Sequence, residues 1–329
     1  MNILFRVDAG GKTGLGHFFR SVTLAKALHK KRVGITITHR PSDFWAQVEL
    51  PFPMIAVDEG KEEEHTFQLI EEGDFSVYYV DGIINFSEDF IDSLRQLGVK
   101  VVFYQNISEA RHLCDVFILP SLRHEDDFFK DFGKSTKVFK GLDYVFFNEK
   151  VYQLQPKKES KEMAENIGIV TGGSDPRGVL LTIHSLIGHK AFEQISFTYF
   201  YGKDFLHKEN IPAHTQDNVQ FLPFDQQHIS NMDLVICTFG VSTYELMFLG
   251  IPILSVGHQA SNAEASKIVA EQTEGIIDLG QIDHLDGVRL NDILKRVIAS
   301  PQQRKTLSEN AKKAVDAFGA ERVVGILKS

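Results

Sequence analysis

Short apolar runs alternate with segments of helical spacing along almost the whole chain, and that grammar dictates a parallel sheet covered by helices on both faces. The first half reads ILFRV at 3–7, a helix from about Phe18, GITIT at 34–38 and MIAV at 54–57. A helix over Thr66–Glu72, VYYV at 77–80, a helix over Ser87–Leu97, VKVVFY at 99–104 and VFILP at 116–120 follow. The second half repeats the pattern: IGIVTGGSDPRG at 167–178, a helix over Val179–Leu186, ISFTYFYG at 195–202, NVQFLPF at 218–224, then DLVICTFGVSTYELMFLGIPILSVG at 233–257. A polar, lysine-rich run, QPKKESKEMAE at 155–165, separates the halves. The expected organisation is two Rossmann-like α/β domains, 1–154 and 155–329, with the last helix able to pack back on the first domain.

Composition narrows the partners. With 44 acidic against 35 basic residues the net charge is -9, which argues against nucleic acid or an anionic membrane, since both require a basic surface. An anionic ligand must therefore be met locally. The N-terminus lacks the pattern of a signal peptide and no apolar run is long enough to span a bilayer, so the expected location is cytoplasmic with no integral membrane segment. Cys114 and Cys237 sit in apolar, strand-like contexts and read as reduced, packed thiols. The 26 phenylalanines read as core.

Three loops carry chemistry. The opening MNILFRVDAGGKTGLGHFFR runs from strand through glycines to a histidine, His17, at a helix start. An imidazole titrates near neutrality, so His17 is either a base for water or a hydroxyl, or a helix-start histidine held by backbone hydrogen bonds. Thr171, Gly172, Gly173 and Ser174 form a second loop, and Thr238 to Thr243, with Gly240 and Ser242, a third, ahead of a helix expected over Tyr244–Phe248. Either loop is a neutral phosphate cradle, or else a tight turn and a helix cap. Glu245 lies one step into that helix. It is a ribose-diol acceptor or a first-turn acid favoured by the helix dipole. The chain contains no GxxxxGK[ST] loop, no GxGxxG fingerprint in the right register and no GxSxG elbow. His124, Glu125, Asp126 and Asp127 read as a charged loop, because consecutive residues do not converge on one ion. No metal and no cofactor are expected.

RVDAGGKTGLGHFFRSVTLAKAL at 6–28 resembles the N-terminal signature of the pseudaminic-acid pathway UDP-sugar hydrolases and their spore-coat polysaccharide relatives, through Arg6, Asp8, Ala9, Gly14, Gly16, His17 and Arg20. GLDYVFF at 141–147, GGSDP at 172–176, GVSTYELMFLGIP at 240–252 and AFGAERVV at 317–324 extend the resemblance in family order. It implies the GT-B fold, two facing Rossmann-like domains with a central cleft and the nucleotide on the C-terminal one, similar there to the enzyme that adds N-acetylglucosamine to lipid I. By resemblance, His17 is the base that activates water at the anomeric carbon with inversion and loss of UDP. Asp8, Gly14, Gly16, Arg20 and Asp81 lie on the sugar side. Gly172, Gly173, Ser174, Gly240, Ser242 and Thr243 hold the diphosphate, Glu245 the ribose, and the backbone near Phe224 the uracil.

Departures cluster on the sugar side. The family's Asp-x-Tyr is here Asp81, Gly82, Ile83; its paired aspartates are Tyr104, Gln105, Asn106; its Asn-Gln pair falls in His258, Gln259, Ala260, Ser261, Asn262. The expected activity is hydrolysis of a UDP-linked deoxy amino-sugar to free sugar and UDP in pseudaminic-acid-type or surface-glycan synthesis. The alternatives are a GT-B glycosyltransferase with a UDP-sugar donor and a non-catalytic nucleotide-sugar binding protein.

Overall fold

The computed structural model describes residues 1–10, 15–82, 84–122, 126–154 and 161–329. They form two compact units, Met1–Glu149 with Ala317–Ser329, and Lys150–Asp316.

The first unit holds β1 (Asn2–Val7), α1 (Gly16–Lys30), β2 (Gly34–His39), β3 (Met54–Ala56), α2 (Glu62–Glu72), β4 (Val77–Asp81), α3 (Glu88–Gln96), β5 (Lys100–Tyr104), β6 (Val116–Leu119) and β7 (Lys137–Lys140). Their order is β3-β2-β1-β4-β5-β6-β7, and each pairing is parallel. The strand β7 was not expected. Its KVFK is largely exposed, with charged ends, and so lacks the apolar run that marks the buried strands. One face of the sheet packs Phe5, Tyr79 and Tyr104 against Leu24 and Leu28 of α1. The other packs Leu4, Tyr78, Phe103 and Phe117 with Phe90 and Leu94 of α3.

The second unit holds β8 (Asn166–Val170), α4 (Val179–Leu186), β9 (Ser196–Tyr201), β10 (Val219–Pro223), α5 (Gln226–Ile229), β11 (Leu234–Thr238), α6 (Val241–Leu249), β12 (Ile253–Gly257), α7 (Ala260–Thr273), β13 (Ile277–Gln281), α8 (Gly287–Ile298) and α9 (Pro301–Ala314). The order is β10-β9-β8-β11-β12-β13, again parallel.

The chain ends in α10 (Gly319–Lys328), which belongs to the first unit. Val323, Val324 and Leu327 enter its core, and Arg322 donates to the Asp143 carbonyl at 2.8 Å. A Cβ at Gly319 would collide with the carbonyl oxygen of Val145, so only glycine lets the helix approach. Two of the motifs that carry the resemblance, GLDYVFF and AFGAERVV, thus meet each other.

Strand order reverses between β1 and β4 in one sheet and between β8 and β11 in the other. In open parallel sheets, ligands collect at the carboxyl ends of the strands on either side of such a reversal. The loop after β1 and the end of β4 therefore lie together, as do the loops after β8 and β11.

Candidate active site

At the first reversal, helical spacing puts His17, Arg20 and Ser21 on one face of α1, and all three turn to Asp81, the last residue of β4. His17 Nδ1 lies 2.7 Å from Asp81 Oδ1. Arg20 donates from Nε to Oδ2 at 2.7 Å and from Nη2 to Oδ1 at 2.5 Å, and the Ser21 hydroxyl donates to Oδ2 at 2.9 Å. Arg20 Nη2 also lies 2.6 Å from His17 Nδ1. A guanidinium has no acceptor, so Nδ1, when it carries the proton, gives it to the Asp81 carboxylate. That tautomer leaves the Nε2 lone pair for a reactant. The imidazole is 18% exposed while the Asp81 side chain is fully enclosed.

Burial pushes the Asp81 carboxyl up, but the Arg20 charge and its hydrogen bonds, followed by His17, outweigh it and hold the group down at about 2. It is an anion at any working pH. For Arg20, burial opposes the charge and Asp81 restores it, leaving the guanidinium above its ordinary value. The Tyr104 ring, paired with Asp81 in the sheet register, lies 4.9 Å from the guanidinium carbon, and its hydroxyl donates to the Tyr144 carbonyl at 2.9 Å. Support for His17 therefore reaches back into GLDYVFF. Next to Tyr104, Gln105 takes a left-handed φ of 55°. Buried Asn106 donates to the carbonyls of Gly82 and Ile84 at 3.0 and 2.8 Å, pinning the loop after β4.

At the second reversal the chemistry is backbone. Gly172 needs glycine for its φ of 92°, and a Cβ on Gly172, Gly173 or Gly240 would meet nothing within 4 Å. The loops thus border open space. Gly240 itself is extended, with φ 169°. It precedes α6, which begins at Val241, earlier than the expected Tyr244, because the Thr243 hydroxyl accepts from the Gly240 amide at 3.2 Å and closes the first turn. Phe224, Gln226, Ser242 and Glu245 line one small hollow with Val170, Ile229, Leu246 and Leu249, about 20 Å3 in volume. Burial lifts the Glu245 carboxyl to about 7, against one opposing hydrogen bond from Gln226 Nε2 at 3.4 Å. Among the described residues no group of three His, Cys, Asp or Glu could hold a metal ion.

No model of a known protein family matches the chain. Its full length aligns at 19% identity with 98% of the spore coat polysaccharide biosynthesis protein SpsG of Bacillus subtilis. With the UDP-2,4-diacetamido-2,4,6-trideoxy-beta-L-altropyranose hydrolase of Campylobacter jejuni it shares 25% identity over 56% of this chain and 65% of that protein. Among solved structures, MurG of Acinetobacter baumannii matches 100% of this chain and 99% of its own at a TM-score of 0.71 and 17% identity. The UDP-GlcNAc 2-epimerase of Neisseria meningitidis, solved bound to UDP-GlcNAc, matches 100% of both chains at 0.65 and 12% identity. This is a GT-B protein. It is a homologue of SpsG and, more distantly, of the hydrolase.

Within this GT-B chain the expected sugar-side residues serve another purpose. Asp81 and Arg20 are buried and bonded to each other, and Asp81 is also in contact with His17. Asp8 pairs with Arg6 at 3.0 Å and accepts the Arg40 amide at 2.8 Å, which makes it a brace. Gly16 is the first residue of α1, whose N-terminus has no side-chain cap. Gly14 lies outside the described residues, as do Ile83, His124 and Glu125.

On the nucleotide side, Gly172, Gly173 and Ser174 are exposed as a loop. The N-terminus of α4 behind it is already occupied. Asp175 accepts the Val179 and Leu180 amides at 2.9 and 2.8 Å. Thr243 is fully buried in its cap, so Ser242 is the hydroxyl of that loop left near the hollow. The Phe224 amide donates to the Tyr201 carbonyl at 2.8 Å, and the Phe224 ring is 44% exposed. Sequence reading missed Ser21, Tyr104, Asp175 and Gln226 as parts of these sites. Only Asp175 carried a signal: an acid just ahead of a helix.

Proposed function

We propose that this chain is an enzyme of UDP-sugars, and that it releases a free amino-sugar and UDP by inverting attack of water at the anomeric carbon. The observation that carries the reading is the His17–Asp81 pair, because a carboxylate on Nδ1–H leaves Nε2 with the lone pair of a base. His17 Nε2 takes a proton from water, the oxygen of that water bonds to the anomeric carbon, and the bond from that carbon to the diphosphate breaks. The developing imidazolium is balanced by Asp81.

UDP leaves as an anion. The Gly172–Gly173–Ser174 loop and the Val241 and Ser242 amides at the start of α6 are its donors, fixed before charge develops and therefore requiring no reorganisation. Phe224 offers a ring face to the base, and Glu245 two oxygens to the ribose diol. Further support comes from the alignment with a UDP-sugar hydrolase and from the likeness to an epimerase solved with UDP-GlcNAc. The reaction would suit nonulosonic-acid or surface-glycan synthesis, in line with the spore-coat homologue.

The purified chain should be incubated with a panel of UDP- and CMP-linked amino-sugars, with and without sugar or lipid acceptors, while UDP release is followed. UDP released without an acceptor supports hydrolysis. Release only with an acceptor makes the chain a glycosyltransferase, and binding without release makes it a nucleotide-sugar binding protein.

A further inference from the structure

The hollow around Glu245 places an acid where an anion is poorly served. The side chains that reach it are Val170 from β8, Gln226 and Ile229 from α5, Ser242, Leu246 and Leu249 from α6, and the Phe224 ring between β10 and α5. None of them is cationic. Asp225 caps α5 through the His228 amide, outside that lining. Among the described residues the one donor bonded to the carboxyl is the Gln226 amide, at 3.4 Å a long contact. A carboxylate so placed is stabilised by ionic hydrogen bonds or else holds its proton.

We propose that nucleotide binding is coupled to proton loss at Glu245: the empty hollow holds the neutral acid, and a ribose diol that supplies two O–H donors converts it to the anion. This rests on the nucleotide reading above. The bond that breaks is the carboxyl O–H, whose proton passes to buffer. Two hydrogen bonds from the diol to the carboxylate replace it, and no other atom is exchanged. The direction of burial's effect on this group, up to about 7, puts the exchange within reach of ordinary pH. The same hollow thereby reads sugar chemistry and pH together, because a 2′-deoxyribose supplies one donor fewer and draws less charge onto Glu245.

The experiment is titration calorimetry of the full chain with UDP, repeated in buffers of different ionisation enthalpy so that protons are counted. The terminal phosphate of UDP titrates near pH 6, so uridine, which shares the diol and lacks the phosphate, is run beside it, as is Glu245→Gln with UDP. The expected result is release of about half a proton at pH 7 by the native chain with either probe, in excess of Glu245→Gln, since a group near its midpoint is half protonated. UDP affinity should weaken about fivefold from pH 7 to pH 6 beyond the change seen in Glu245→Gln, because only the ionised fraction is competent. Gln226→Ala, which removes the one donor, should increase the proton count.

Equal proton counts for the native chain and Glu245→Gln overturn the coupling while leaving nucleotide binding in place. No binding of UDP at any pH overturns the nucleotide reading and the coupling with it. If Glu245→Gln fails to fold, the uridine arm decides alone: zero proton release with uridine bound overturns the proposal.

Discussion

In the first unit the chemistry at the strand reversal stands on buried ions, whereas in the second it stands on open backbone and one half-buried carboxyl. His17 is held by an Asp81 that is wholly buried and itself bonded to Arg20 and Ser21. Gly172, Gly173 and Gly240 instead border empty space, and Glu245 has a single long hydrogen bond. A proton-transfer group needs fixed direction, which charge pairing supplies by holding the side chain rigid. A diphosphate needs several donors at once, which loops supply without any side chain that must be held. The contrast means that turnover and nucleotide affinity should respond to different substitutions.

The largest separation is expected from His17→Ala. Turnover should fall on the order of 10²–10⁴-fold, with UDP affinity by calorimetry unchanged; a parallel loss of both would erase the distinction between the units. Asp81→Asn should act through folding as well. Leaving Arg20 buried without its partner costs about 3–5 kcal/mol, read as an early denaturant transition of the first unit, and a variant as stable as the native chain would remove the buried-ion account.

Acid should separate the units by pH. His189 in the second unit is lowered to about 4 by burial and then by His184, and burial also lowers His184 and His258. A histidine depressed in the folded state contributes fully above its unfolded value of 6.5, and its contribution is lost as pH falls from there towards 4. For His189 this is on the order of 1–2 kcal/mol. Asp81, depressed from 3.8 to about 2, stabilises above that range and fails only as pH falls from about 4 to 2, by on the order of 2 kcal/mol. Although buried His39 adds one such group to the first unit, amide hydrogen exchange should accelerate in β8 and β9 at a higher pH than in β4 and β5. The reverse order would contradict the assignment.

The smallest effect should come from Tyr79→Phe. The Tyr79 hydroxyl is buried with no hydrogen-bond partner among the described residues, so its removal should change stability by under about 1 kcal/mol, in either direction. A loss of several kcal/mol would show that this hydroxyl belongs to the Asp81 network.

The alternation of strand and helix was legible because β1, β4, β5, β8 and β11 are apolar runs between turn residues, whereas the strand order came only with the structure. Since β7 is an exposed edge, no such run marks it. In the site, His17, Glu245 and the glycines could be named from the loops that hold them. What sequence withheld was which partner each side chain meets. Asp81 is separated from Arg20 by 61 positions and Gln226 from Glu245 by 19, so nothing local distinguishes a carboxylate that holds a histidine from one that holds a sugar. Thr243 shows the same limit in miniature, since a hydroxyl three residues past a glycine serves a cap and a ligand equally well until burial decides.

The central claim is that His17 delivers water to the anomeric carbon of a UDP-sugar. The most direct measurement is turnover in water enriched in oxygen-18, with mass analysis of the UDP formed and of the sugar at early times. The account predicts label on the released sugar and none in UDP, with product formation by His17→Ala lowered on the order of 10²–10⁴-fold. Label in the terminal phosphate of UDP, or unchanged turnover without the imidazole, would contradict it.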